Sequence, residues 1–368
     1  MAMTGRERFL TALANEKPDR LPCQVHSWMP YYLKNHLKGM DQYQAYEHFG
    51  MDPVIYAEPL FEYSSRELDN WQLKCHDMGI LADGYHHWHY EITTPGGCLY
   101  YKAAGNQFTV WSTEYIIKTQ ADFELWAKYH PRPCRVDWSP IIDAKRKVGG
   151  NGIVRGIYYD FGQCSPWQSF SSYLCDTQTA IFHCVDEPEW VHYVLGHLLD
   201  RKLRVIELGG RQEFDLVECG GGGGSSTVIS PDMHREFCLP YDKKQIDAFH
   251  AQGTRVVYHL CGGLMPLLEM VAENGTDALE TMTPPGMGGD CHLAEATRRV
   301  GDHLAFIGGF DQGRGFEKGT PELVREMVAQ LHAACPQGGY ICSPSDHFFL
   351  GDPANVQAFA NVCKEMRY

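Results

Sequence analysis

The sequence predicts an α/β fold: a single (β/α)8 TIM barrel over residues 1–368, with an antiparallel β insertion at 85–117. Three observations lead there. Eight short apolar runs recur along the chain, and eight parallel strands close a barrel of this kind. From residue 254 onward each run is followed by a helix-like stretch, and such alternation means a parallel sheet. A chain of 368 residues suits one large barrel with insertions, since such barrels commonly pass about 250 residues. A doubly wound open sheet, or a split into an N-terminal lobe (1–150) and a C-terminal lobe, are the competing architectures.

The elements follow in order. Thr4 and Glu7 have the spacing of a capping box, so the first helix starts in MAMTGRERFL. That opening has no apolar core of a secretion signal, and a cytoplasmic protein is expected. The eight runs are PCQVHSW (22–28), DPVIYAE (52–58), GIVRGIYYD (152–160), EFDLVEC (213–219), TRVVYHLC (254–261), DALETMT (277–283), LAFIGGF (304–310) and GYICSP (339–344). Between the later runs lie LMPLLEMVAEN, LAEATRRVG and TPELVREMVAQLHAA, with DPANVQAFANVCKEM at the end. Ser230-Pro231 and Thr320-Pro321 mark helix starts, the hydroxyl capping and the proline filling the first helical position. The stretch 85–117 alternates aromatic and β-branched with polar residues around two glycine-containing turns, the pattern of a meander inserted after the second strand.

Composition excludes several classes. The net charge of −14 and the lack of any basic run beyond AKRKV (144–148) argue against a nucleic-acid partner. No apolar run is long enough to cross a bilayer. The fourteen cysteines have no framework spacing, which points to metal binding or burial rather than disulfides.

Chemistry concentrates in VVYHLCGG (256–263). Side chains two apart on a strand share a face, so His259 and Cys261 point together at the strand's C-terminal end, where barrel enzymes work. Imidazole and thiolate are zinc ligands, and a catalytic zinc takes three ligands from the protein. The third is expected from GGYICSPSDHFF (338–349): His347 first, Cys342 second, with Asp346 also open. His87 and His89, with Asp83 nearby, are a rival pair that reads better as polar insert surface or lid. Glu218 and Asp346 are the candidate catalytic carboxylates, and Glu280 is a further candidate at the level of Glu218. His26, Trp28, Tyr159, Asp311 and Gln312 are candidate substrate contacts. The glycine run in ECGGGGGSS (218–226) allows close backbone approach and is read as the floor of the barrel mouth.

The segments ISPDMHREFCLPYDKKQIDAFHAQG, VVYHLCGG, IGGFDQG, GTPELV and GGYICSPSD resemble the uroporphyrinogen decarboxylase superfamily, and RERFLTALANEKPDRLP is similar to that family's N-terminus. The resemblance implies an α/β barrel. Decarboxylases of the family grip their substrate with an arginine-rich segment after the first strand, whereas HSWMPYYLKNH (26–36) has no arginine. The zinc-binding, corrinoid-linked methyltransferase branch uses His-x-Cys and a distant Cys, similar to His259, Cys261 and the Cys342 region; the family's last cysteine falls a few residues later, close to Asp346.

That branch implies zinc as a Lewis acid and methyl transfer from a small methylated substrate to cobalamin on a partner corrinoid protein. No Asp-x-His-x-x-Gly motif lies in this chain, so the cobalamin must come with the partner. A methoxyarene and O-demethylation are expected from the aromatic residues near strand ends: Trp28, Tyr31, Tyr56, Tyr158, Tyr159, Phe161 and Trp167. A uroporphyrinogen-decarboxylase-like decarboxylase and a non-catalytic zinc or corrinoid chaperone are the alternatives.

Overall fold

Strands covered on both faces read as continuous apolar runs, and seven of the eight runs form such strands. The computed structural model describes residues 2–162, 165–211 and 213–368. Its strands are β1 (Val54–Tyr56), β2 (Leu60–Tyr63), β3 (Gln72–Ile80), β4 (His86–Thr94), β5 (Gly97–Gly105), β6 (Val110–Glu114) and β7 (Pro133–Asp137). They continue with β8 (Ile153–Ile157), β9 (Leu216–Gly220), β10 (Arg255–His259), β11 (Ala278–Thr281), β12 (Ala305–Phe310) and β13 (Tyr340–Pro344). A curled parallel sheet runs in the order β1-β8-β9-β10-β11-β12-β13.

The eighth stave is irregular. The run at 22–28 makes no continuous ladder and meets β13 only through bridges at Cys23–Cys342 and Trp28–Phe348. Gln24 N donates to Cys342 O at 3.1 Å, Cys342 N to Pro22 O at 2.9 Å, and Asp52 N to Cys23 O at 2.9 Å. The segment thus sits between β13 and the entry to β1 and closes the cylinder. Pro22 brings no N–H, which is one reason the ladder cannot extend.

Beneath the N-terminal ends, Asp52 is clamped by Arg8 at 2.5 Å and Arg20 at 2.9 Å, with Arg8 also reaching Asp19 at 2.7 Å. The capping box of Thr4 and Glu7 forms, and Ser230 and Thr320 cap their helices as the sequence predicts. The four C-terminal helical stretches are found at Leu268–Glu273 with a preceding 3₁₀ turn, Leu293–Val300, Pro321–Ala334 and Pro353–Glu365.

The insertion is a four-stranded antiparallel sheet, β3-β4-β5-β6, and begins at Gln72 rather than at 85. The expected boundary misses β3 because QLKCHDMGI is exposed on nearly every residue and carries no alternation to read. Two hydrophobic clusters result. The larger fills the barrel and its helical jacket. The smaller joins Ile92 and Leu99 of the insertion to Phe123, Trp126, Trp167, Phe170 and Leu195 on neighbouring helices. Among the described residues, no helix is long and apolar enough to cross a membrane.

Candidate metal centre

Strand parity builds the site. Tyr258 points outward, its hydroxyl donating to Asp242 at 2.6 Å, so His259 faces the barrel interior. Register sets His259 beside Glu280 of β11, and Val257 beside Glu218 of β9. Arg155 of β8, wholly buried, forks between the two carboxylates. Its Nη1 and Nη2 each donate to Glu280 at 2.7 Å, and Nη2 also donates to Glu218 Oε2 at 2.8 Å. The Tyr56 hydroxyl donates to the same Glu218 oxygen at 3.4 Å, and the guanidinium lies 4.8 Å from the Tyr56 ring.

His259 completes this polar core. Its Nδ1 is 3.1 Å from Glu280 Oε1 and 3.9 Å from Glu218 Oε1. Burial alone would depress the imidazole's pKa, but the Cys261 thiol, Glu280 and Glu218 outweigh it and hold His259 well above the usual range. For Glu280, burial is outweighed by Arg155, His26 and His259, which keep the carboxylate well below its ordinary value. His26 stands 3.5 Å from Glu280 Oε2 and packs its ring against His259 at 5.0 Å and His347 at 4.6 Å.

Three overlapping sets of ligand-type side chains emerge, each with atoms within 4.8 Å of one another: His259, Cys261 and Asp346; His26, Asp346 and His347; and His26, Glu218, His259 and Glu280. Among the described residues, these are the groups of three or more that meet so closely. His87 and His89 join none of them; His87 instead pairs with Asp83 at 2.9 Å on the insertion. Burial opposes ionisation of Asp346, but His259, His26 and His347 around it hold its pKa below the ordinary value. Partial burial beside His26 pushes His347 down to about 4.

Cys342 lies elsewhere. It is wholly buried on the outward face of β13, against Cys23 and Cys363 of the helix Pro353–Glu365. The expectation of Cys342 at the mouth fails on parity, because the residues of β13 that face the helices are those in step with it. Asp346, just past the strand end, comes to His259 and Cys261 instead. No disulfide joins any of the thirteen described cysteines.

The remaining expected residues divide. Gln312 clamps the rim loop, accepting from Ser345 N at 3.2 Å and donating to His347 O at 3.2 Å, so it positions Asp346 and His347. Asp311 accepts from Arg314 N at 2.8 Å and also lines a rim cavity of about 400 Å³ with Gln312, Met287, Arg314, His347 and Phe348. Trp28 is buried in a stack with Phe49 behind the rim. Tyr159 lies on the loop after β8, with Lys202 Nζ 5.6 Å from its ring.

The glycine run packs beneath Cys261: a Cβ on Gly222 would stand 2.5 Å from the Cys261 sulfur. Its backbone is fixed from the other side by Gln168, which accepts from Gly223 N at 2.7 Å, and by Trp167, which donates to Gly223 O at 2.7 Å. Sequence reasoning passed over Arg155. The signal was present: a charge in the middle of GIVRGIYYD must find partners if that strand is buried on both faces.

Comparison with known proteins adds the family. The family profile described as Uroporphyrinogen decarboxylase (URO-D) matches residues 162–366. A curated protein named uroporphyrinogen decarboxylase from Pseudomonas putida (strain GB-1) is 26% identical over 400 aligned residues, covering 100% of this chain and 98% of that protein. The protein of the same name from Pseudomonas syringae pv. tomato is 29% identical with the same coverage. Among solved structures, a methyltransferase from Methanosarcina mazei superposes with a TM-score of 0.65 at 14% identity, covering 99% of both chains, and so shares the fold.

Proposed function

Because this chain belongs to the uroporphyrinogen decarboxylase family, we propose that it is a zinc-dependent methyltransferase built on that barrel. It would move a methyl group from a small methylated substrate to the cobalt of a corrinoid carried by a separate protein. The observation that carries this reading is the meeting of His259, Cys261 and Asp346, whose ligand atoms lie within 4.8 Å of one another. Three donors of nitrogen, sulfur and oxygen type suit a catalytic zinc that keeps one position open. Glu280 engages His259 Nδ1, which leaves Nε2 as the ligand nitrogen and fixes the ring through a carboxylate behind it. A bound zinc would supply Lewis acidity to an ether or alcohol oxygen, stabilising the charge that grows there as the methyl departs. A carboxylate in place of a second thiolate makes the donor set harder and better matched to an oxygen substrate than to a thiol.

The chain's own residues take the other roles. Arg155 and Glu280 orient His259, and Gln312 holds the loop that presents Asp346. Glu218 is assigned the proton exchange at the leaving oxygen. Its Oε2 takes the hydrogen bonds from Arg155 and Tyr56, while Oε1 faces His259 Nδ1 at 3.9 Å. The rim cavity of about 400 Å³, walled by Phe348 and Met287 and sharing His347 with the ligand cluster, suits one substituted ring. A methoxyarene and O-demethylation are therefore the substrate and reaction proposed, with the corrinoid protein docking over this rim.

The names of the full-length relatives favour decarboxylation as a second reading. Against it, the helix Pro30–His36 and its flanks carry no arginine to grip a multiply carboxylated substrate. One set of measurements separates the two. Anaerobically purified protein is expected to retain zinc and to convert cobalt(I) to methylcobalt(III), followed by absorbance, with methoxyarenes rather than methanol or methylamines. Cys261→Ala is expected to lose both metal and turnover while keeping its fold. Metal-free protein that releases carbon dioxide from uroporphyrinogen would overturn the proposal.

A further inference from the structure

The smaller hydrophobic cluster is not fully packed. The insertion sheet, the helix Gln120–Tyr129 and the turn Phe170–Leu174 enclose a cavity of about 290 Å³. We propose that this cavity is a second ligand site, for a small, neutral, planar aromatic molecule, distinct from the metal centre and independent of it.

Size, walls and electrostatic surroundings point the same way. An apolar cavity of about 150 Å³ already takes up benzene, so this one has room for a ring with substituents. Its walls include Trp71, Tyr101, Trp126, His130, Phe161 and Tyr173. Several are already arranged as aromatic partners: Trp71 meets His130 edge-on at 4.9 Å, and Trp126 meets Phe161 at 4.9 Å and 59°. A flat ring entering among them extends stacking and edge contacts of the same kind.

The surroundings select a neutral molecule. Burial and the nearby Arg201 hold the pKa of His130 well below its usual range, so its imidazole is uncharged, and Arg201 is committed to Asp160 and the carbonyls of His130 and Pro131. A route from solvent exists at Leu73 and Tyr173, lining residues that are 54% and 42% exposed.

Acetophenone is the probe, with cyclohexyl methyl ketone as its non-aromatic counterpart. Calorimetry on chelator-treated protein is expected to show saturable acetophenone binding, several-fold tighter than that of the cyclohexyl ketone. In crystals soaked with 4-bromoacetophenone, the bromine anomalous peak is expected between Trp126 and Tyr101. Ser112→Phe, which fills the cavity from a small wall position, is expected to weaken binding at least tenfold with an unchanged circular-dichroism melt. Leu73→Trp at the exposed mouth is the companion variant, expected to slow or weaken binding even if the first does not fold. Absence of saturable binding, binding unaltered by these variants, equal affinity for cyclohexyl methyl ketone, or bromine only beside His347 would each overturn the proposal. Loss of zinc alone would bear on the metal centre and leave this site intact.

Discussion

Arg155 is the residue on which the rim's electrostatics turn. It offers a single buried cation to two carboxylates, and a charge left alone in such a place is costly. Arg155→Leu is expected to destabilise the fold by about 3–5 kcal/mol, measured by urea denaturation, because Glu218 and Glu280 would lose the buried guanidinium they share. Glu280→Gln tests the support of His259 separately. It is expected to lower zinc affinity by about 10–100-fold in chelator competition, while Glu218 still pairs with Arg155. Unchanged affinity would remove Glu280 from its orienting role. At this scale the sequence was partly legible. That His259 and Cys261 would share a face could be read from their spacing alone, but that Asp346 rather than Cys342 comes beside them depends on which face of β13 each residue takes and where the strand stops.

Among the elements, the helix Leu239–Ala251 carries an unusual load. Asp242 is buried against β10, and burial pushes its carboxyl up to about 6, although Tyr258, Ser165 and Lys202 pull the other way. The folded state therefore holds this proton to higher pH than the unfolded chain, whose carboxyl titrates near 3.8. Its contribution to stability is complete below about 3.8 and is lost as pH rises through about 6. Asp242→Asn is expected to gain on the wild type by roughly 3 kcal/mol across that window, read from paired denaturation curves at pH 4 and pH 7. A difference that stays flat with pH would show Asp242 ionised throughout. A second element stores strain: Thr281 and Met282, at the end of β11, have φ of 81° and 45°. Thr281 is β-branched and unsuited to that region, yet its hydroxyl donates to Leu260 O at 2.9 Å and so pins the chain beside Cys261. Element starts were legible wherever a side chain caps a helix, as at Thr4, Ser230 and Thr320, because capping is local chemistry. The strand β3 was not, because its identity comes from pairing with β4 and leaves little mark on its own residues.

For the molecule as a whole, the parallel order of strands was legible because each is short, apolar and followed by its helix. The position of the insertion relative to the rim, and the second hydrophobic cluster it builds, depend on contacts between distant segments and had no local signature. A corrinoid protein docking as proposed is expected to protect the amides of 261–263 and 345–349 from hydrogen exchange. Protection confined to the opposite end, around Arg8 and Asp52, would place the partner on the wrong side of the barrel.

The irregular closure at residues 22–28 means that the barrel resembles a split ring more than a welded hoop. Its gap is spanned by a handful of main-chain links and by the Tyr46 hydroxyl on Val25 O at 3.2 Å. Any breathing of the ring concentrates at that gap, which carries His26 but neither His259 nor Cys261. The fixed jaw of the site is thus the β9–β11 side, and the yielding jaw is the one bearing His26.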